Sequence, residues 1–239
     1  MGPRQAGQPS GMAGRDEPAR LGARATATPA QPRERVPPGT HVLDLGTPRA
    51  GLLHVPEALD QAAPAPLVVL LHGAGSDPAA GLALLRREAD EHGMLLVAPA
   101  STAATWNGVI GRWGPDVRAV DTTLRRVLRR FAVDPGRLAL GGFSDGASYA
   151  LSLGLANGDV FSHLIAFSPG FLAPPAERGR PRVFVSHGTD DNVLRIDRCS
   201  RRLVPALRRA GYEVHYDEFS GGHVVPPEIA AAATRWLHT

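Results

Sequence analysis

Short, unbroken apolar runs recur along the chain: LVVLL (67–71), MLLVAP (94–99), RLALGG (137–142), FSHLIAFS (161–168) and PRVFVSHG (181–188). A strand that is apolar at every position has no face to give to water, so it must be covered on both sides. The stretches between several of these runs have helical period instead. PAAGLALLRREADEHG (78–93) reads as one helix closed by Gly93. In VRAVDTTLRRVLRRF (117–131), Val117, Val120, Leu124, Val127, Leu128 and Phe131 fall on one stripe. SDGASYALSLGLA (144–156), the 197–210 segment and PEIAAAATRWL (227–237) read as further helices, and YEVHYDEF (212–219) as a strand. HVLDLG and GLLHV (51–55) read as a hairpin of edge strands. Strand and helix alternate throughout, which predicts an α/β fold: a mostly parallel central sheet with helices on both faces. No internal repeat is present.

A length of 239 residues suits one large domain with a sizeable core. The charge is unevenly placed. Residues 1–38 hold six Arg and three acids, leaving twenty Arg and twenty acids for residues 39–239. The expected domain, 39–239, is therefore neutral, and the basic pI does not imply a nucleic-acid surface. Arg125, Arg126, Arg129 and Arg130 fall on the polar side of an amphipathic helix, a solvated face. Residues 1–38 are rich in Ala, Gly, Pro and Arg without apolar periodicity, which predicts a disordered tail. No apolar run reaches the roughly 18 residues of a membrane span, and no signal-peptide pattern is seen, which leads to an expectation of a cytoplasmic protein. The one cysteine, Cys199, rules out an intrachain disulfide and reads as structural.

In a sheet of this kind, chemistry gathers beyond the carboxyl ends of the strands. Four unusual stretches stand there. GFSDG (142–146) follows RLALGG and fits the Gly-x-Ser-x-Gly elbow. A serine hydroxyl is a poor nucleophile until a base takes its proton; a sharp strand-to-helix turn lifts Ser144 to where a base can reach it, and the new helix aims its positive end at a developing oxyanion. LHGAG (71–75) ends the LVVLL strand, which assigns the backbone N–H groups of Ala74 and Asp145 as oxyanion donors; His72 reads as a loop brace. SHGTDDNVL (186–194) offers Asp190 and Asp191, of which spacing favours Asp191 as the acid that orients a histidine, with Asp190 as a turn residue and His187 as a brace. GGHVVP (221–226) supplies His223 on an accessible loop. Ser144, Asp191 and His223 follow the chain order of hydrolase triads.

LHGAG, GFSDGAS, HGTDDNVL and GGH together resemble the α/β-hydrolase superfamily, most closely its phospholipase/carboxylesterase group, which borders on polyhydroxybutyrate-depolymerase-like and feruloyl-esterase-like esterases. The resemblance covers roughly residues 40–239, and FAVDPGRLALGGFSDGASYAL (131–151) is its most specific part. It implies a serine esterase that uses no cofactor and no metal and works through an acyl-enzyme. The chain departs from the group at Asp145, where glutamine is common; a carboxylate there weighs against anionic esters. SPGFLAPPAERGRP (168–181) is too short to hold a cap, so an open pocket and small to medium esters are expected. Trp106, Phe143 and Phe171 are assigned to the pocket lining, with Trp113 a weaker candidate. The expected partner is a small-molecule ester, with no nucleic acid and no membrane span, in a monomer or homodimer. Rival readings are a thioesterase or a small peptidase or amidase with the same triad, and a non-catalytic binding protein on the same fold.

Overall fold

The computed structural model describes residues 19–25, 35–46, 49–107 and 113–239. Eight strands form one sheet in the order β1-β2-β4-β3-β5-β6-β7-β8. In chain order these are β1 (Gly39–Leu43), β2 (Gly51–Val55), β3 (Ala65–Leu71), β4 (Leu95–Ala98), β5 (Val133–Phe143), β6 (His163–Phe167), β7 (Arg182–Gly188) and β8 (Val214–Phe219). The expected hairpin is present: β1 and β2 pair antiparallel, Gly39 opposite Val55, and β2 runs antiparallel to β4. Every other neighbouring pair is parallel.

Alternation along the buried strands feeds two apolar layers. Leu67, Val69 and Leu71 face one layer with Leu95, Val97, Leu138, Leu140 and Val185; α3 (Pro115–Arg130), α4 (Asp145–Leu155) and α5 (Ser200–Arg209) cover it. Val68 and Leu70 face the other with Leu96, Ile165 and Phe184. That layer is covered by α1 (Pro78–Ala83), α2 (Arg86–His92) and α6 (Pro227–Leu237). All seven residues of β3 are buried, at about 1.5–3 kcal/mol for each Leu or Val taken out of water. The stripe on α3 packs as its spacing predicts, with Val117, Val120, Leu124, Val127 and Phe131 buried and Leu128 half-buried. Cys199 is buried, and burial pushes its thiol pKa up, away from reactivity.

Two sequence expectations need correction. The segment 78–93 is two helices, not one. Leu85 leaves helical geometry (φ −134°, ψ 15°), while Leu82, Leu85 and Ala89 all pack into the same apolar layer. Asp77 caps α1 by accepting from the Ala80 N–H (3.0 Å), and Gly93 closes α2 at φ 64°.

The expected tail also fails for residues 19–25, which lie against the domain. Ala19, Leu21 and Ala23 are buried in the first apolar layer. Asn157 accepts from the Leu21 N–H (2.9 Å), Asp121 on α3 accepts from the Gly22 and Ala23 N–H groups (both 2.8 Å), and Arg20 pairs with Asp159. Composition averaged over 38 residues hides an apolar alternation only three residues deep. Of the rest of the expected tail, 1–18 and 26–34 lie outside the described residues.

Between β6 and β7 the chain makes a loop with no helix, so no cap covers the strand ends there. Among the described residues no helix is long and apolar enough to cross a membrane.

Candidate active site

Ser144 sits between β5 and α4, at φ 59° and ψ −123°. A side chain other than glycine's is strained there, and the surroundings hold it in place. The Ser144 N–H donates to the Phe167 carbonyl (2.9 Å), and the Ser148 N–H donates to the Ser144 carbonyl (3.0 Å). The flanking glycines are required by space. A Cβ at Gly146 would collide with the carbonyls of Leu71 and His72, and one at Gly142 with the Leu71 carbonyl. The end of β3 therefore passes directly against the turn.

His223 and Asp191 arrive from the loops after β8 and β7. His223 Nε2 lies 2.9 Å from Ser144 Oγ, and its Nδ1 lies 2.6 Å from Asp191 Oδ2. The three side chains thus form one continuous hydrogen-bonded relay. The other carboxylate oxygen, Asp191 Oδ1, accepts from the Val193 and Leu194 N–H groups (2.9 and 2.8 Å). Burial alone would raise the Asp191 pKa; hydrogen bonds from His223, Leu194 and Val193 outweigh it and hold the carboxyl below its ordinary value. Asp190, the adjacent acid, is exposed and lies near Thr189 instead.

His187 is fully buried. Its Nε2 N–H donates to the Leu194 carbonyl (2.6 Å), which leaves Nδ1 to accept from Ser200 Oγ (2.7 Å). Desolvation lowers its pKa, so it stays neutral beside Asp191 and braces the 188–194 turn.

The loop after β3 is clamped in the same manner. His72 Nε2 accepts from the Ser101 N–H (3.3 Å), so Nδ1 carries the proton and donates to the Gly73 carbonyl (2.8 Å). The Ser76 N–H reaches the same carbonyl at 3.2 Å. A trans peptide points its C=O and N–H in opposite directions, so fixing the Gly73 carbonyl also fixes the direction of the Ala74 N–H. The Asp145 N–H, in the first turn of α4, has no intrahelical acceptor. Gly73 brings this loop against the serine, since a Cβ there would lie 3.6 Å from Ser144 Cβ.

Of the pocket residues expected from sequence, Trp106 does not line a pocket. It is fully buried, stacks on Tyr149 (centroids 5.4 Å apart), and its indole N–H donates to the His72 carbonyl (2.8 Å). An aromatic in a loop looked available from sequence; a buried acceptor for the indole draws it into the core. Phe143 is half-buried with its ring 4.5 Å from that of His223. Phe171 is half-buried in the loop after β6. Trp113 is half-buried and packs against Tyr149.

Several supporting residues escaped the sequence reading. Ser148 Oγ donates to the Ser144 carbonyl (3.2 Å) and accepts from the Gly170 N–H (2.8 Å), tying the loop after β6 to the elbow. Its spacing of four from Ser144 was the available signal. Asp116, fully buried, accepts from the Thr102 and Asn107 N–H groups (2.7 and 2.6 Å). Arg49 donates to the Ser76, Ser101 and Ala103 carbonyls. Together they hold the 101–107 loop so that Thr105 Oγ1 donates to Asp145 Oδ2 (2.8 Å). No local pattern announces those long-range partners.

No family model matches the sequence, and no curated protein matches it. Solved structures do match. The esterase PE8 is 26% identical with a TM-score of 0.62, over 78% of this chain and 98% of its own. An S-formylglutathione hydrolase from Staphylococcus aureus is 15% identical with a TM-score of 0.68, over 84% and 99%. A ferulic acid esterase from Anaeromyces mucronatus is 19% identical with a TM-score of 0.62, over 91% and 97%. The chain has the α/β-hydrolase fold, and esterases and serine hydrolases are what it is similar to.

Proposed function

We propose that this α/β-hydrolase-fold chain is a serine esterase that cleaves small to medium carboxylic esters through an acyl-enzyme, of the phospholipase/carboxylesterase kind. The relay from Asp191 through His223 to Ser144 Oγ, with steps of 2.6 and 2.9 Å, carries the reading. Ser144 Oγ attacks the ester carbonyl carbon as its proton passes to His223 Nε2. Asp191 keeps the proton of His223 on Nδ1 and stabilises the imidazolium. The carbonyl oxygen becomes an oxyanion between the Ala74 and Asp145 N–H groups. The C–O bond to the alcohol then breaks, and the departing oxygen takes the proton from Nε2. Water, deprotonated by the same nitrogen, attacks the acyl carbon; the bond to Ser144 Oγ breaks as that oxygen takes the proton from Nε2, and the acid leaves.

Substrate size and polarity follow from the surroundings. The loop 168–181 carries no cap. Two of the most exposed large apolar side chains among the described residues, Val193 (63% exposed) and Val224 (52%), follow closely in the chain on Asp191 and His223. With Phe143 against the His223 ring, they favour apolar acyl or alcohol groups at an open mouth.

The test is hydrolysis of p-nitrophenyl esters from acetate to palmitate by the wild type and Ser144→Ala. Turnover on the short esters is expected, falling by at least about 10⁴-fold in the variant. Retained turnover in folded Ser144→Ala overturns the assignment, and activity confined to palmitate overturns the size class.

A further inference from the structure

Asp145 places a carboxylate directly after the proposed nucleophile, where a developing oxyanion is the least welcome neighbour of a negative charge. Consecutive Cα atoms are only about 3.8 Å apart, so even a fully extended Asp145 side chain keeps its carboxylate within about 10 Å of Ser144 Oγ. Asp145 is half-buried. Among the described residues, its only hydrogen bond from a side chain is the one that Thr105 Oγ1 donates to Oδ2 at 2.8 Å, and no ion pair includes it. Arg49, which holds the same loop, donates to the carbonyls of Ser76, Ser101 and Ala103. The carboxylate is therefore held in place by Thr105, with no ion-pair partner among the described residues.

We infer that the Asp145 carboxylate is a charge selector for the substrate: it disfavours esters bearing a negative group near the scissile carbonyl and favours esters bearing an ammonium group there. The inference rests on the esterase reading above. A cationic substrate supplies a counter-charge, and its ammonium offsets the cost of an acid beside the oxyanion. An anionic substrate adds a second like charge to a half-buried site. The main-chain N–H of the same residue serves the oxyanion whatever the side chain, so the two roles of Asp145 separate chemically.

Two matched series test this, at 20 mM and at 500 mM salt. One varies the acyl part: monoethyl succinate, ethyl pentanoate and ethyl 4-aminobutanoate. The other varies the alcohol: 2-sulfoethyl, 3,3-dimethylbutyl and choline acetate. The readout is kcat/KM for each charged ester relative to its neutral partner, which cancels any general change in turnover. In the wild type at low salt, at least one series is expected to run cation above neutral above anion, with roughly tenfold at each step. Asp145→Asn should bring those ratios close to one, as should high salt in the wild type. Flat ratios in both series, or ratios unchanged in Asp145→Asn, overturn the inference. If the variant does not fold, the salt dependence of the wild-type ratios decides alone, and ratios that ignore salt overturn it. Serine-dependent turnover of the neutral esters stands apart: if it is present and the ratios are flat, the charge selector fails and the esterase reading survives.

Discussion

Ser144 and Ser168 are the two residues other than glycine with positive φ among those described, and they stand at the ends of adjacent strands. Their strain has different justifications. At Ser144 (φ 59°) the turn holds the hydroxyl 2.9 Å from His223 Nε2. Ser168 (φ 50°) is fully buried and its hydroxyl has no hydrogen-bond partner. It carries both backbone strain and an unsatisfied polar atom, while its N–H bond to the Ser186 carbonyl (2.8 Å) needs no side chain. Ser168→Gly removes both costs and should stabilise the fold by about 1 kcal/mol after the entropy of the added glycine is subtracted. Equilibrium denaturation with urea checks this, and a lower midpoint would show that the Ser168 Cβ contributes packing that outweighs its strain.

The 19–25 segment shows how an element can matter without being regular. It adds no helix or strand. Instead it lays Ala19, Leu21 and Ala23 into the layer shared by α3 and α4, and gives its N–H groups to Asp121 and Asn157. Asn157 also donates to the Ala19 carbonyl (2.8 Å), so the polar backbone is paired where the side chains are buried. Leu21→Ala should therefore cost about 2–4 kcal/mol, as for a core leucine, and not the near-zero cost of a change in a solvated tail. The shift in denaturation midpoint distinguishes the two. The segment lies on the far side of α4 from its N-terminal turn, since Asn157 follows the helix that Ser144 begins. The same variant should leave the KM for short esters unchanged in the folded fraction.

Across the whole molecule, buried neutral histidines set the response to acid. Desolvation, joined by the charge of Arg182, lowers the pKa of His163 to about 4 from an ordinary 6.5. His72 and His187 are lowered as well, in each case by desolvation first. A histidine with a depressed folded pKa binds its proton more readily in the unfolded chain. Stability is then complete above about pH 6.5 and declines as pH falls towards 4, as the unfolded state takes up protons that the folded state refuses. Denaturation midpoints measured from pH 7.5 to 4.5 should fall steadily, and His163→Gln should flatten part of that slope; a flat wild-type profile would show that these rings accept protons in the fold.

The layered sheet was legible in the chain because it depends on short-range pattern. Continuous apolar runs demand cover on both faces, and the α3 stripe declares its own period. The motifs carrying Ser144, Asp191 and His223 were legible for a related reason: each needs small neighbours at a strand end, and that need is written within five or six adjacent residues. Tertiary contact had to settle what local pattern leaves open. Trp106 is drawn from the expected mouth into the core by a carbonyl 34 positions away. Leu21 is ordered by an asparagine 136 positions away. Between neighbouring Asp190 and Asp191, the path of the loop after β8 gives Asp191 to His223. Local sequence sets which conformations and burial patterns a segment can adopt, whereas a hydrogen bond between distant residues exists only once the whole chain has brought its two ends together.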